Sequence, residues 1–110
     1  MKIAIKKQLK IYVTEEGKKP FVDWLESLND NSIRYRVKER LDHVSLGNFG
    51  DHKFVSDGVY ELRLSFGAGY RIYYGLDGDK IVLLLSGGNK STQKKDIKKA
   101  ITYLNDYLLR

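Results

Sequence analysis

The sequence predicts a single α+β domain over residues 1–110, with elements in the order β-α-α-β-β-β-α. Apolar and polar residues alternate from 60 to 74 around a glycine-rich turn, which is typical of a β-hairpin. A continuous apolar run at 81–85 predicts a central strand covered on both faces. We therefore expect an antiparallel β-sheet meander packed against two N-terminal helices and a C-terminal helix, with all helices on one face.

The N-terminal elements follow from local patterns. Alternation at 7–13 predicts a half-buried strand. Pro20 favours a short helix over residues 20–28, because the first helical turn leaves unpaired the N–H that proline lacks. The polar segment 29–32 offers several N-caps for a second helix. Apolar residues at helical spacing carry that helix to about Ser45.

The hairpin places polar side chains on the sheet face that points away from the predicted core. With a three-residue turn, Ser65 lies opposite Arg71, Arg63 lies opposite Tyr73, and Glu61 shares their face. Two guanidinium groups can each donate two parallel hydrogen bonds to a phosphodiester, and the phenol ring can stack on a base. The alternative is a solvated face on which Glu61 pairs with Arg63.

Lysines cluster around the predicted start of the C-terminal helix, near Thr92. Lys90 follows the last strand, where a loop can bring a cation over the end of the sheet. The first two helical turns carry Lys94, Lys95, Lys98 and Lys99. Positive charge at this end opposes the helix dipole, which favours a role in binding. The alternative is an ordinary solvated helix face.

Composition limits the classes of function. The net charge is +6 and the isoelectric point is near 9.5, which favours polyanionic partners, although many small soluble domains are mildly basic. The chain has no cysteine and only His43 and His52, so neither a thiolate nor a histidine-rich metal centre is expected, and no cofactor is predicted. No apolar run approaches the ~18 residues of a membrane span, and the first ten residues lack the features of a signal peptide. A cytoplasmic protein is expected.

Three motifs occur in order along the chain: E-L-R at 61–63, G-Y-R-I-Y-Y at 69–74 and G-N-K-S-T-Q-K-K-D-I at 88–97. Together with K-P-F-V-D-W-L at 19–25, they resemble the RelE/ParE toxin superfamily. The subgroup that the chain resembles is the HigB-like, phage-type addiction-module killer proteins. The resemblance covers nearly the whole chain and implies a RelE-like fold.

The resemblance implies the toxin of a type II toxin–antitoxin module, neutralised by a cognate helix-turn-helix antitoxin. Members such as RelE and HigB cut mRNA, usually on the ribosome. They need no metal, because the RNA 2′-OH attacks the adjacent phosphate. This chain would then be an endoribonuclease that inhibits translation.

Site residues follow from the same resemblance. Arg63 matches the strand arginine that contacts the scissile phosphate, Arg71 matches the arginine of the next strand, and Lys90 matches the basic residue after the last strand. The C-terminal tyrosine of RelE-type members is not evident, and Asp96 falls about where it would lie, which makes Asp96 a candidate acid or base. The expected RNA-binding residues are Tyr73, Lys94, Lys95 and Lys98.

Two other functions remain open from the sequence. A ParE-like member of the same fold would inhibit DNA gyrase and cut nothing. A basic interaction module would bind nucleic acid or a partner without toxicity. The presence of Arg63, Arg71 and Lys90 favours the nuclease.

Overall fold

The computed structural model of the protein describes residues 5–110; residues 1–4, which belong to the N-terminal segment considered above, lie outside the described residues. The class is α+β, as predicted. The strands and helices, with a single 3-10 turn at Lys90–Thr92, are β1 (Gln8–Ile11), α1 (Pro20–Ser27), α2 (Asn31–Ser45), β2 (His52–Ser56), β3 (Val59–Arg63), β4 (Arg71–Asp77), β5 (Ile81–Gly88) and α3 (Gln93–Leu109).

The five strands form one mixed sheet in the order β1-β5-β4-β3-β2. Strands β2 to β5 form an antiparallel meander, as predicted for the central strands. The wholly antiparallel sheet is wrong, because β1 pairs in parallel with β5, with Gln8 opposite Ile81. A parallel partner requires a long crossover connection, and the intervening helices and strands provide it.

Helices cover both faces of the sheet, so the expectation that all helices lie on one face is wrong. Helices α1 and α2 pack on one face, through a core that includes Phe21, Val37, Leu41, Val44, Leu62, Ile72, Val82 and Leu84. Helix α3 packs on the other, through Tyr12, Val59, Tyr73, Leu83, Leu85, Ala100 and Leu104. The physical reason is that β5 carries apolar side chains on both of its faces, and burying both requires a cover on each side.

Strand β2 is absent from the predicted order. β2 is an edge strand of the sheet, and most of its residues are exposed, including Phe54. Because β2 has no buried face, its sequence lacks the alternation of apolar and polar residues that predicts a strand. The sequence signal that could have found it is the Asp57–Gly58 pair between β2 and β3. Both residues have positive φ, 49° and 84°, as a two-residue hairpin turn requires.

The helix starts agree with the sequence. Pro20 is the first residue of α1, and the Asp30 side chain caps α2 by accepting a 2.8 Å hydrogen bond from the Ser32 N–H. Before α3, the Asn89 side chain accepts from the N–H groups of Ser91 and Thr92. Within residues 5–110, no helix is both long enough and apolar enough to cross a membrane.

Candidate functional site

Three strands end or begin at one corner of the sheet. Arg63 is the last residue of β3, and its Cα partner across the ladder is Arg71, the first residue of β4. Arg71 in turn lies opposite Gly88 at the end of β5. The predicted register, with Arg63 opposite Tyr73 and Ser65 opposite Arg71, is wrong by two residues, because the β3–β4 connection is longer than the predicted turn.

The Arg63 side chain is partly exposed and paired with Asp51. Its Nη2 and Nε atoms donate to Asp51 Oδ1 at 2.8 and 3.2 Å, and the two side chains are 39% and 56% exposed. The hydrogen bond from Arg63 lowers the pKa of Asp51. Arg40 of α2 steadies this segment by donating to the backbone carbonyls of Phe49, Asp51 and Arg63 at 2.7–2.8 Å.

The Arg71 side chain is largely buried beneath the start of α3, with 13% of it exposed. Its Nη1 donates to the Gly69 carbonyl at 2.6 Å, and its Nε lies 3.5 Å from Oε2 of Glu61. Glu61 is 1% exposed and also accepts a 3.3 Å hydrogen bond from Gln93 of α3. The expectation that this sheet face meets solvent is therefore wrong at Glu61 and Arg71, because α3 covers it.

Tyr73 is fully buried in the core beneath α3, so the expected exposure of its ring to an RNA base is wrong in this arrangement. Among the residues that the structure describes, its hydroxyl has no hydrogen-bond partner, and neither does the buried Oγ of Ser86, which lies opposite on β5. Burial, followed by the negative charges of Glu61 and Asp96, raises the pKa of Tyr73. The phenol therefore stays neutral at physiological pH.

Lys90 and Arg71 both border Gly69. The backbone N–H of Lys90 donates to the Ala68 carbonyl at 3.3 Å, which ties Lys90 to the β3–β4 connection. A Cβ added to Gly69 would lie 3.3 Å from Cβ of Lys90 and 3.4 Å from Nη1 of Arg71. A side chain at position 69 would therefore crowd the stem of Lys90 and the Arg71 guanidinium, and the φ of +71° at Gly69 is a conformation that favours glycine.

Asp96 covers the Gly88 position. A Cβ on Gly88 would lie 1.8 Å from Asp96 Oδ2, so only glycine fits there without movement. Thr92 donates a short hydrogen bond to the same carboxylate oxygen. The remaining predicted RNA-binding residues share one exposed surface of α3: Lys94, Lys95 and Lys98, together with Lys99.

The match to known families spans this whole arrangement. Residues 23–105 match the model of a family described as phage-derived protein Gp49-like (DUF891). The chain belongs to the Gp49-like family. It is also 45% identical over 80 residues to an uncharacterized protein of Haemophilus influenzae strain Rd, an alignment that covers 73% of this chain and 81% of that protein. The Gp49-like family is one of addiction-module killer proteins.

In this Gp49-like protein, Arg63, Arg71 and Lys90 form what we call the basic corner. The basic corner suits a phosphate, because Arg63 is partly exposed, Lys90 is exposed, and Arg71 is a largely buried cation directly opposite Arg63 in the β-ladder. Among residues 5–110, no group of three or more acidic or histidine side chains could hold a metal ion.

Sequence reasoning missed three residues that shape the basic corner, Arg40, Asp51 and Gln93, and it did not pair Glu61 with Arg71. Alternation did place Glu61 on the same face as both arginines. Alternation could not show which of the two arginines pairs with Glu61, because that depends on the register of β3 against β4. The other contacts come from loops and helices distant in sequence, for which the chain carries no local signal.

Proposed function

We propose that this protein is the toxin of a type II toxin–antitoxin (addiction) module and inhibits translation by cutting mRNA without a metal ion. Membership of the Gp49-like family supports the toxin assignment. The observation that carries the nuclease assignment is the convergence of Arg63, Arg71 and Lys90 on one corner of the sheet.

The basic corner suits the chemistry of RNA self-cleavage. The ribose 2′-OH attacks the adjacent phosphorus, the bond from phosphorus to the 5′-oxygen breaks, and negative charge builds up on the non-bridging oxygens. Fixed cations near these oxygens stabilise the transition state more than the ground state. Arg63 and Lys90 would contact the phosphate from the accessible side, while Arg71 contributes charge from beneath Gly69.

Proton transfer requires a base for the 2′-OH and an acid for the departing 5′-oxygen. Asp96 is the candidate for one of these roles, because its carboxylate lies over Gly88, opposite Arg71 in the ladder. The exposed lysines at 94, 95 and 98 of α3 would bind flanking phosphates of the mRNA, on the ribosome or free.

The experiment follows translation and DNA replication separately after induction of the protein in cells. The proposal expects translation to stop first and mRNA to be cut. Purified protein should cut RNA in EDTA, leaving a 2′,3′-cyclic or 3′-phosphate and a free 5′-OH. A substrate with 2′-deoxyribose at the scissile nucleotide should bind but resist cutting.

Other results of these experiments would support a different function or exclude the proposed mechanism. Arrest of replication without RNA cleavage would establish the gyrase inhibitor instead. Nucleic-acid binding without growth inhibition would establish a non-toxic interaction module. Cutting of the 2′-deoxy substrate, or dependence on added Mg²⁺, would exclude the 2′-OH mechanism.

The expected partner is a cognate helix-turn-helix antitoxin in the cytoplasm. Co-expression of the small protein encoded beside this one should restore growth, and the two should purify as a complex. Growth inhibition that no neighbouring protein relieves would contradict the addiction-module assignment.

A further inference from the structure

The two arginines of the basic corner pair with carboxylates in contrasting environments. The Arg63–Asp51 pair lies at the surface, where water can replace either partner. The Arg71–Glu61 pair is enclosed between the sheet and α3. An exposed pair contributes little to stability, whereas removing one partner of a buried pair leaves an uncompensated charge.

Glu61 is in the right place to orient the Arg71 guanidinium. Arg71 is held at Nη1 by a hydrogen bond to the Gly69 carbonyl, and its buried Nε lies 3.5 Å from the Glu61 carboxylate, within ion-pair distance but without a hydrogen bond among the described residues. The same Glu61 oxygen, Oε2, accepts a 3.3 Å hydrogen bond from Gln93 of α3. The orientation of Arg71 beneath Gly69 and Lys90 therefore depends on a chain of contacts that runs from α3 through Glu61.

We propose that Glu61 is a positioning residue that holds the Arg71 guanidinium in the basic corner. Glu61 contacts no solvent and therefore no substrate; it acts through Arg71. Its negative charge is the essential property, because a neutral side chain of the same shape would leave the buried guanidinium without a counter-charge. Arg71 would then turn towards water, away from Gly69. Only the effect on cleavage rests on the proposed function.

The direct test observes the Arg71 Nε–H group by NMR, with the Arg71→Gln variant to assign its resonance. In the wild type this proton should exchange slowly with solvent. In Glu61→Gln it should exchange at least about tenfold faster, the factor that corresponds to about 1.4 kcal/mol. Asp51→Asn is the matched control, because it neutralises the carboxylate of the neighbouring pair and should leave the Arg71 proton unchanged. Slow exchange retained in folded Glu61→Gln would overturn the proposal.

The role of Glu61 can still be tested if the Glu61→Gln variant fails to fold. If Glu61→Gln unfolds the protein because Arg71 is left as a buried unpaired charge, the double variant Glu61→Gln/Arg71→Gln should recover folding. A double variant that is less stable than either single variant would show that the two side chains act independently and would overturn the proposal.

Cleavage kinetics then test the functional consequence. Glu61→Gln should lower kcat and leave KM within about twofold, because Arg71 acts on the transition state rather than on overall RNA binding. In an Arg71→Gln background, Glu61→Gln should cause no further loss. Losses that multiply would assign Glu61 a role separate from Arg71. If the wild type cuts no RNA, the proposed function fails, while the NMR result still decides the role of Glu61.

Discussion

Arg63 and Arg71 lie directly opposite each other on β3 and β4, yet Arg63 pairs with an exposed carboxylate and Arg71 with a buried one. The exposed pair can exchange Asp51 for another anion at little cost. In the buried pair, Glu61 cannot be replaced by another anion unless α3 moves. The basic corner therefore combines one adjustable cation with one fixed cation, and the predictions below separate the two.

Arg63→Ala should abolish growth inhibition and leave the fold intact. The side chain is partly exposed, so its removal opens no core cavity. Loss of one donor that contacts a developing oxyanion costs roughly 10²–10³ in rate. The measurement is RNA cleavage by the folded variant, with Lys80→Ala, in the turn at the opposite end of β4, as the control for lost charge. Equal toxicity of Arg63→Ala and wild type at equal expression would contradict the prediction.

Asp51→Asn should strengthen the binding of RNA. Asp51 occupies the Arg63 guanidinium in the free protein and competes with a phosphate for it. Removing an exposed competitor of this kind is expected to tighten binding by up to about fivefold. The assay is binding of a non-cleavable 2′-deoxy oligonucleotide, and Asp79→Asn provides the same change in net charge in the β4–β5 turn. Equal tightening in both variants would assign the effect to net charge alone.

Gly69→Ala should impair cleavage far more than Gly78→Ala. Both glycines have positive φ, +71° and +67°, so alanine pays a similar backbone cost of about 1–2 kcal/mol at each. A Cβ at Gly78 meets nothing within 4 Å, whereas one at Gly69 meets Lys90 and Arg71. Melting temperatures should fall alike, and only Gly69→Ala should lose activity. Similar activity of the two variants would show that spacing at Gly69 is unimportant.

Two tyrosine-to-phenylalanine substitutions should change stability in opposite directions. The Tyr73 hydroxyl is buried without a partner in residues 5–110, so Tyr73→Phe should raise the free energy of unfolding by about 1 kcal/mol or more. The Tyr12 hydroxyl donates to Asp106 at 2.6 Å, so Tyr12→Phe should lower it by about 1.5–3 kcal/mol. Urea denaturation of both variants provides the comparison. A destabilised Tyr73→Phe would reveal a partner for that hydroxyl.

Stability should decrease at high pH through Tyr12. Burial, and then the hydrogen bond to Asp106, raise the pKa of Tyr12 from 10.0 to about 12. Below pH 10 the phenol is protonated in both states, and its contribution is complete. Between pH 10 and 12 the unfolded state loses the proton first, so the free energy of unfolding falls. Tyr12→Phe should show a shallower decrease between pH 10 and 12, and an unchanged slope would contradict this cause.

Much of the fold could be predicted from the sequence, because the helices and central strands carry strong periodicity and clear caps. Pro20 and Asp30 start their helices as expected. The exposed edge strand β2 could not be found by apolar alternation, because it buries little. The alternation of apolar and polar residues also could not predict the register of β3 against β4. A slip of two residues keeps every side chain on its face, so alternation cannot detect it.

The candidate site shows the same limit. The sequence named Arg63, Arg71 and Lys90, and the structure brings them to one corner. Their catalytic roles stay predictions. The sequence did not show that α3 covers Tyr73, because no local pattern specifies which face of a sheet a distant helix occupies. The interior position of that ring follows only from the tertiary arrangement.

The pairing of β1 with β5 has a consequence for how the chain is made. The first strand leaves the ribosome long before its partner strand at Ile81–Gly88 has been synthesised. The hydrogen bond from Tyr12 to Asp106 likewise joins residues that are 94 positions apart in the sequence. Contacts between residues so far apart in sequence form late and slow folding. Because α3 also supplies Gln93 and Asp96, a nascent chain cannot assemble the basic corner and its cover until these residues have left the ribosome.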